Sequence, residues 1–297
     1  MAVFKFNRLA DGAEIKLGGG NTLFFGGSIS AADVSVAQLQ GGVELSAGGK
    51  SVLLKDYTLG NLSLAEISFD NGSQLLVGDT EVAADDDDDN NAILPTPIGA
   101  KNRDKLLGLG GDDQMGGDDG DDILFGGMGN DTMDGDAGND RLDGGRGNDQ
   151  LNGDRGSDIL KGFAGTDVLI GGVGADLMNG GEDADIYRIE ITHSRPIVNR
   201  YDHVVEFVTG SDQFDLAREG TADNYVEKGI KSDDFAAALQ EAINQLIQYD
   251  GAKDYVFIAG KTKGWLFGEL TDDLNPDLAV EIGNGHSLDA LTHSDII

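Results

Sequence analysis

Residues 126–179 consist of six consecutive nine-residue blocks, which read GGMGNDTMD, GDAGNDRLD, GGRGNDQLN, GDRGSDILK, GFAGTDVLI and GGVGADLMN. Four further blocks fit the same register, so ten blocks run from Gly99 to Arg188. Glycine occupies the first position of all ten and the fourth position of the eight inner blocks, whereas Asn102 and Asp183 replace it at the two ends. A fixed period with atypical ends is typical of a solenoid, in which each repeat stacks on its neighbours.

Two further positions keep one chemical character through all ten blocks. The eighth residue is always large and apolar, which predicts a core one side chain wide. A disordered tract rich in Gly and Asp would not need such a residue in every block. The sixth residue is always aspartate, and the ten aspartates are Asp104, Asp113, Asp122, Asp131, Asp140, Asp149, Asp158, Asp167, Asp176 and Asp185.

The aspartates and glycines together predict calcium sites. If two blocks form one full coil, the aspartate of one block lies one layer from the aspartate two blocks later. Glycine lets the turn backbone adopt positive φ and bring its carbonyl groups close to an ion. Carboxylates and carbonyls form an all-oxygen cage, which suits calcium better than zinc or copper. We therefore expect up to about eight Ca²⁺ ions, with turn backbone ligands from Gly108, Gly117, Gly126, Gly129, Gly135, Gly138, Gly144, Gly147, Gly153, Gly156, Gly162, Gly165, Gly171 and Gly174.

Folding of the repeat is expected to depend on the metal. Ordering nine backbone residues costs ~9–18 kcal/mol, while burying one Leu or Met side chain returns only ~1.5–3 kcal/mol. Backbone hydrogen bonds narrow this gap, but the aspartate carboxylates repel one another. Bound calcium would supply free energy of folding and cancel that repulsion.

These blocks resemble the RTX family, whose repeat reads G-G-x-G-x-D-x-U-x and folds as a parallel β-roll. The segments Asp202–Phe207 and Gly210–Leu216 are similar to the region that follows the roll in serralysin-type proteins, and Ser287–Ile297 is similar to the C-terminal region of that family. The resemblance implies calcium as the cofactor. It also implies export through the type I machinery, read from an uncleaved C-terminal signal, and a secreted location. Residues 1–80 match none of the enzyme domains of the family.

The rest of the chain predicts two further folded regions, so that the whole protein is dominated by β-structure. Residues 1–80 contain short alternating runs such as Thr22–Phe25, which indicate a small antiparallel β-sandwich. Residues 81–98 include five consecutive aspartates, Asp85–Asp89, and are expected to form an acidic linker. Residues 189–297 predict a β-rich domain with one helix at Lys231–Gln248, whose apolar face would contain Phe235, Leu239, Ile243 and Leu246.

Composition excludes several classes of function. The chain has 54 acidic and 21 basic residues, a net charge of −33, and therefore lacks the basic surface that nucleic acid and anionic lipid require. The sequence contains no run of ~18 apolar residues, so insertion into a membrane is not expected. The chain has no cysteine, which excludes disulfides and thiolate metal sites. The first 16 residues lack the apolar core of a cleavable secretory signal.

Three weaker patterns in the chain also have ordinary structural explanations. Asp273, Asn275 and Asp277 alternate as calcium-loop ligands do, and predict either a second calcium site or an acidic turn. The four histidines form no H-E-x-x-H pair, so a serralysin-like zinc protease site is not expected. Trp265 lies in an apolar strand and is expected in a core rather than in a sugar-stacking platform.

The leading functional hypothesis is a non-enzymatic secreted protein of the bacterial surface or matrix. Calcium would fold the roll outside the cell, and residues 1–80 would contact a second copy or a cell-surface glycan. The strands Val34–Val36 and Ser51–Leu54 would offer edges for pairing between copies. Two alternatives remain open: a lectin-like carbohydrate-binding protein, and a hydrolase whose catalytic site matches no known motif.

Overall fold

The computed structural model describes residues 3–16, 22–26, 29–55, 57, 67–69, 75–77, 92–93, 103–189, 201–208, 211–216, 225–229, 235–248, 255–259, 263–268 and 278–283. The chain falls into two compact units, Met1–Arg141 and Leu142–Ile297. The strands of the first unit are β1 (Val3–Lys5), β2 (Ala13–Ile15), β3 (Thr22–Phe25), β4 (Ser35–Leu39), β5 (Gly42–Ala47), β6 (Lys50–Lys55), β7 (Ile67–Phe69), β8 (Leu75–Val77), β9 (Ala92–Ile93), β10 (Lys105–Gly110), β11 (Gln114–Gly116), β12 (Ile123–Met128) and β13 (Thr132–Asp134), and β14 (Arg141–Arg146) starts at its last residue.

Two small sheets enclose the N-terminal core. One contains β1, β3 and β7, and the other has the order β2, β6, β5, β4. The Phe25 ring stacks on Phe6 at 4.4 Å between ring centroids and on Phe69 at 5.0 Å, in a core with Leu23, Val43, Leu45 and Val52. The expected antiparallel pairing is present in β4–β6, but β1, β3 and β7 pair in parallel. The chain enters the other sheet between each of these strands, so every return runs in the same direction.

The first repeats form two parallel ladders. Strands β8, β10 and β12 form one, and β9, β11 and β13 form the other. Leu106 pairs with Leu124 and Met115 with Met133, so each strand lies beside the strand 18 residues further along. Two blocks therefore form one coil, as the sequence predicted. Strands β8 and β9 lie before Gly99, in regions expected to be sandwich and linker, and cover the exposed edges of the first coil.

The second unit has the same internal arrangement. Leu160 pairs with Met178 in one ladder and Leu169 with Tyr187 in the other, and two strands beyond the repeats extend these ladders in parallel. The fold is therefore a mostly β protein built around a parallel β-solenoid. The elements of the second unit are β15 (Gln150–Asn152), β16 (Ile159–Ala164), β17 (Val168–Ile170), β18 (Leu177–Glu182), β19 (Ile186–Arg188), β20 (Asp202–Val205), β21 (Gln213–Asp215), β22 (Tyr225–Gly229), α1 (Phe235–Gln248), β23 (Tyr255–Ala259), β24 (Lys263–Gly268) and β25 (Leu278–Gly283).

The C-terminal region packs α1 against a mixed sheet. Strand β20 pairs in parallel with β25, which continues through the antiparallel strands β24 and β23 to β22. Ala238 and Ala242 are fully buried in a core with Trp265 and Phe267, and Leu239 packs partly against it. Helix α1 spans Phe235–Gln248, within the expected range, and the expected start at Lys231 lies outside the described residues. Its buried positions include small alanines, which let it approach the sheet closely. It is the one α-helix among the described residues.

Candidate metal centre

The roll interior contains one apolar side chain per block. All ten residues at the eighth position are 0–2% exposed, which confirms the predicted core. Because strand side chains alternate between faces, their neighbours at positions seven and nine point outward. The core residues are Leu106, Met115, Leu124, Met133, Leu142, Leu151, Leu160, Leu169, Met178 and Tyr187.

The ten aspartates at the sixth position are also buried, with exposed fractions of 0–2%. They form a ladder in which a backbone N–H donates to the carboxylate one coil later. The Asp122 N–H donates to Oδ1 of Asp140 at 2.7 Å. The same bond joins Asp104 to Asp122, Asp113 to Asp131, Asp149 to Asp167, Asp158 to Asp176 and Asp167 to Asp185 at 2.7–3.0 Å.

The second carboxylate oxygen is left for another partner. Oδ2 of Asp122, Asp167 and Asp185 is buried and accepts no hydrogen bond from the residues that the structure describes. Burial, together with nearby carboxylates such as that of Asp104, raises the pKa of Asp122 to about 7. Burial likewise raises the pKa of Asp167 to about 6 and that of Asp185 to about 7. The protein alone therefore solvates these negative charges poorly, and a cation would stabilise them.

Glycine at the first position makes room for this oxygen. A Cβ atom on Gly117 would lie 2.8 Å from Oδ2 of Asp122 and 2.7 Å from the carbonyl oxygen of Gly135. A Cβ atom on Gly153 would lie 2.6 Å from both Oδ2 of Asp158 and the carbonyl oxygen of Gly171. A glycine is therefore required at this position, because a side chain would collide with both oxygen atoms. Without a side chain there, the carboxylate and the carbonyl oxygen can both lie close to the glycine.

The left-handed backbone occurs at fourth-position glycines, as the sequence indicated, and also at the second position of the block, which was not expected. The second residue of the block has positive φ even where it is not glycine, as in Leu109 (75°), Asp118 (69°), Asp136 (65°), Asp154 (60°) and Phe163 (79°). Aspartate tolerates this conformation better than most residues do. Several fourth-position glycines, such as Gly129 and Gly165, also have positive φ.

A second ladder of polar side chains at the fifth position was missed in the sequence. Oδ1 of Asp112 accepts a 2.7 Å hydrogen bond from the Asn130 N–H, and Oδ1 of Asn148 accepts one of 2.8 Å from the Thr166 N–H. In this ladder the backbone N–H of one coil donates to a side chain of the preceding coil. In the aspartate ladder the N–H donates to a side chain of the following coil. The signal was present, because most blocks have Asp, Asn, Ser or Thr at this position.

The aspartate ladder also continues beyond the repeats. Oδ1 of Asp202 accepts from the Asp176 N–H at 3.2 Å, and Oδ1 of Asp212 accepts from the Asp185 N–H at 3.1 Å. Oδ2 of Asp212 accepts a further hydrogen bond from the Val208 N–H at 2.8 Å, so backbone groups satisfy both of its oxygens. Asp202 and Asp212 lie 26 and 27 residues after their partners instead of 18, so the nine-residue period did not predict them as members of the ladder. The signal was an aspartate two residues before a buried apolar residue.

The residues present fit calcium. Buried carboxylate oxygens and glycine carbonyl oxygens lie close to the same first-position glycines, and both are hard oxygen ligands of the kind that calcium prefers. Within the described ranges, no three His, Cys, Asp or Glu side chains converge on one point. Backbone carbonyls from the glycine turns would supply coordination together with the sixth-position carboxylates.

The other predicted sites give a mixed result. Trp265 is fully buried in the C-terminal core, which confirms the structural role expected for it. His203 lies on β20, with Nδ1 3.5 Å from Oε1 of Glu281. Asp273, Asn275 and Asp277, the acidic run Asp85–Asp89 and the terminal segment Ser287–Ile297 lie outside the described residues. No helix in the described ranges is both long and apolar enough to cross a membrane.

A polar cleft lies in the N-terminal region, apart from the aspartate ladder. Its volume is about 440 Å³. Carboxylates and hydroxyl groups form most of its polar wall, from Asp11, Asp33, Ser35, Glu44, Ser46 and Ser51.

Comparison with known proteins supports the repeat. The model of the RTX calcium-binding nonapeptide repeat (4 copies) matches residues 98–133, 125–160 and 161–188, about a third of the chain. No curated protein matches the chain. Among solved structures, the chain is similar to the AlgE6R3 subunit of the Azotobacter vinelandii mannuronan C5-epimerase, with 21% identity over 63% of this chain and 80% of that chain and a TM-score of 0.33. A likeness of that size carries no weight for fold or function. The family match and the buried aspartate ladder together identify residues 98–188 as RTX calcium-binding repeats.

Proposed function

We propose that the protein is a secreted structural or adhesive component of a bacterial surface or matrix, folded by calcium outside the cell. The observation that carries the proposal is the ladder of buried aspartates, in which Oδ2 of Asp122, Asp167 and Asp185 is buried and accepts no hydrogen bond from the described residues. Extracellular calcium modules bind at ~10⁻⁴–10⁻³ M, well above cytosolic calcium. A roll of this kind would therefore be ordered only after export.

Export would use the type I machinery, as the resemblance of Asp202–Phe207, Gly210–Leu216 and Ser287–Ile297 to serralysin-type proteins implies. The test is to express the full chain beside a variant that lacks the last ~50 residues, since exposed chain ends commonly carry such addresses. We expect the truncated chain to remain in the cell. Secretion of both chains at equal levels would exclude a C-terminal signal.

Self-assembly through the N-terminal region is the second part of the proposal. Of the two strands expected to offer edges, Ser51–Leu54 lies inside its sheet, between β2 and β5. Strand β4 is the last of that sheet among the described residues, and it contains no charged side chain. Uncharged, exposed edge strands pair readily with further strands. Calcium would assist by reducing the net charge of −33, which otherwise keeps copies apart.

Light scattering during size exclusion, with and without millimolar calcium, tests this assembly. We expect the mass to increase with calcium in the wild type, and Ala37→Lys in the middle of β4 to prevent the increase. Gln40→Lys is the matched control, because it adds the same charge at an exposed residue just beyond the strand. Monomer at every calcium concentration would overturn the assembly proposal.

Glycan binding is a second candidate function, favoured by the polar cleft. Carboxylates and hydroxyls such as those of Glu44 and Ser46 can hydrogen-bond sugar hydroxyl groups. A glycan array with the wild type and a Ser46→Trp variant, which would fill the cleft, tests this candidate. If the Ser46→Trp variant still bound the same glycans, the cleft would be excluded as the glycan-binding site. The expectation that the chain is not an enzyme stays a prediction.

A further inference from the structure

Strand β10 belongs to two structures at once. On one face, Leu106 is fully buried in the roll core, and Asp104, two residues earlier, is the first member of the aspartate ladder. On the other face, Leu107 and Leu109 pack against the N-terminal core around Phe25 and Leu75. The alternation of side chains along a strand explains this double role. The first coil of the roll is therefore also a wall of the N-terminal core.

Both neighbours of Asp104 hold the N-terminal region directly. Arg103 Nη1 contacts Oδ1 of Asp33 at 3.1 Å, and the Ala32 N–H donates to the Arg103 carbonyl oxygen. Lys105 is 92% buried, and its Nζ donates to the carbonyl oxygen of Val34. The residue between them, Asp104, donates its N–H to Oδ1 of Asp122 at 2.7 Å. One calcium-ladder residue thus lies between two anchoring residues.

The anchored segment, Ser30–Val34, is itself a compact unit. The N–H and Oγ of Ser30 both donate to Oδ2 of Asp33, at 2.8 and 2.7 Å, and the Val34 N–H donates to the Ala31 carbonyl oxygen. Ala31 and Val34 are fully buried in the N-terminal core. A displacement of Arg103 and Lys105 would therefore be passed to a rigid element of that core and not absorbed by a loose loop.

We propose that β10 transmits calcium binding in the first layers of the roll to the N-terminal domain, so that this domain is fully ordered only in the calcium-bound protein. The proposal rests on calcium folding the roll. Without calcium, β10 is released, and the N-terminal core loses Leu107, Leu109 and the anchors from Arg103 and Lys105. By linkage, the packing of the N-terminal domain on β10 in turn strengthens calcium binding at the layer of Asp104 and Asp122.

Hydrogen exchange of the full chain, in chelator and in millimolar calcium, tests the proposal. We expect calcium to slow exchange at residues 30–34 and in β5 and β6 at least ten-fold, together with exchange in the repeats at residues 159–188. Slower exchange in the repeats with no change at residues 30–34 and in β5 and β6 would overturn the coupling and leave the calcium-folded roll intact. No change in either region would overturn both.

A pair of lysine variants tests the route. Lys105→Met removes the buried donor to Val34, and Lys161→Met is the control, because the Lys161 ammonium lies on the roll 6.0 Å from the Phe163 ring. A hydrogen bond from a charged group of this kind corresponds to about ten-fold in an opening equilibrium. We expect Lys105→Met to speed exchange at residues 30–34 in calcium by about that factor, and Lys161→Met to leave it unchanged. Equal behaviour of the two variants would exclude the anchor.

The exposed ion pair provides a second variant in case Lys105→Met does not fold. Arg103→Gln removes the contact with Asp33, in which both side chains are nearly half-exposed, and is expected to fold. We expect it to weaken calcium-dependent protection at residues 30–34 by a smaller factor, about two-fold to three-fold, as for other exposed ion pairs. Protection equal to that of the wild type would contradict a role for this contact.

Discussion

The backbone N–H of Asp167 donates a 3.0 Å hydrogen bond to Oδ1 of Asp185, 18 residues further along the chain. Parallel pairing of successive coils creates this contact, and it holds the Asp185 carboxylate in one orientation. Oδ2 of the same group is buried without a hydrogen bond among the described residues. One oxygen is therefore used by the fold and the other remains for a cation. The ladder prepares calcium ligands that only the folded roll brings together.

Removal of calcium should unfold the repeats. We expect the β-signal of residues 103–189 in circular dichroism to be lost in chelator, because the buried carboxylates then repel without compensation. The signal should return cooperatively at ~10⁻⁴–10⁻³ M calcium. Magnesium at the same concentration serves as the control, since it favours a smaller octahedral site. An unchanged spectrum after chelation would contradict calcium-dependent folding.

Asp167→Asn should weaken calcium binding without removing the ladder hydrogen bond. The amide oxygen can still accept from the Asp149 N–H, but the charge and the calcium-binding carboxylate are lost. We expect calorimetry to show at least one ion fewer and a higher calcium midpoint. Asp134→Asn is the control, because Asp134 is exposed on the outside of the roll. Equal effects of the two variants would show that only net charge matters.

Gly153→Ala should destabilise the roll by about 2 kcal/mol or more, as overpacking of a close contact does. Its Cβ atom would lie 2.6 Å from both Oδ2 of Asp158 and the Gly171 carbonyl oxygen. Gly283→Ala is the control, because the nearest atom to its Cβ, Cγ1 of Val205, is 3.6 Å away. Thermal unfolding in saturating calcium measures both. A tolerated Gly153→Ala would show that the turn can open.

Phe163→Asn should stabilise the protein. Phe163 has φ of 79° and is 46% exposed, so it bears the cost of a left-handed backbone and buries only part of its ring. Asparagine adopts that conformation more easily, and we expect a gain of about 0.5–1 kcal/mol in unfolding free energy. Phe163→Ala removes the ring and keeps the backbone cost, so it should give no gain. If Phe163→Ala increased the unfolding free energy and Phe163→Asn did not, the effect would come from removal of the ring and not from the backbone conformation.

The sequence by itself determined the coil and its interior. Each block of nine residues has an apolar eighth residue and an aspartate as its sixth residue. Because one block cannot bury its apolar residue alone, the repeated blocks bury these residues by stacking on one another. The two-block coil, the core from Leu106 to Tyr187 and the buried aspartates followed from this repeat. The role of Trp265 in a core could also be predicted, from its apolar neighbours.

Tertiary structure decided what the period does not encode. Strands β8, β9, β20 and β21 join the ladders from outside the repeats, because an open sheet edge needs a partner and any nearby strand can provide one. Asp202 and Asp212 enter the ladder in this way, at spacings that no repeat predicts. The anchoring of Val34 by Lys105 joins residues 71 positions apart. Local sequence rules fix which residues face inward, but contacts between distant segments depend on where the whole chain places them.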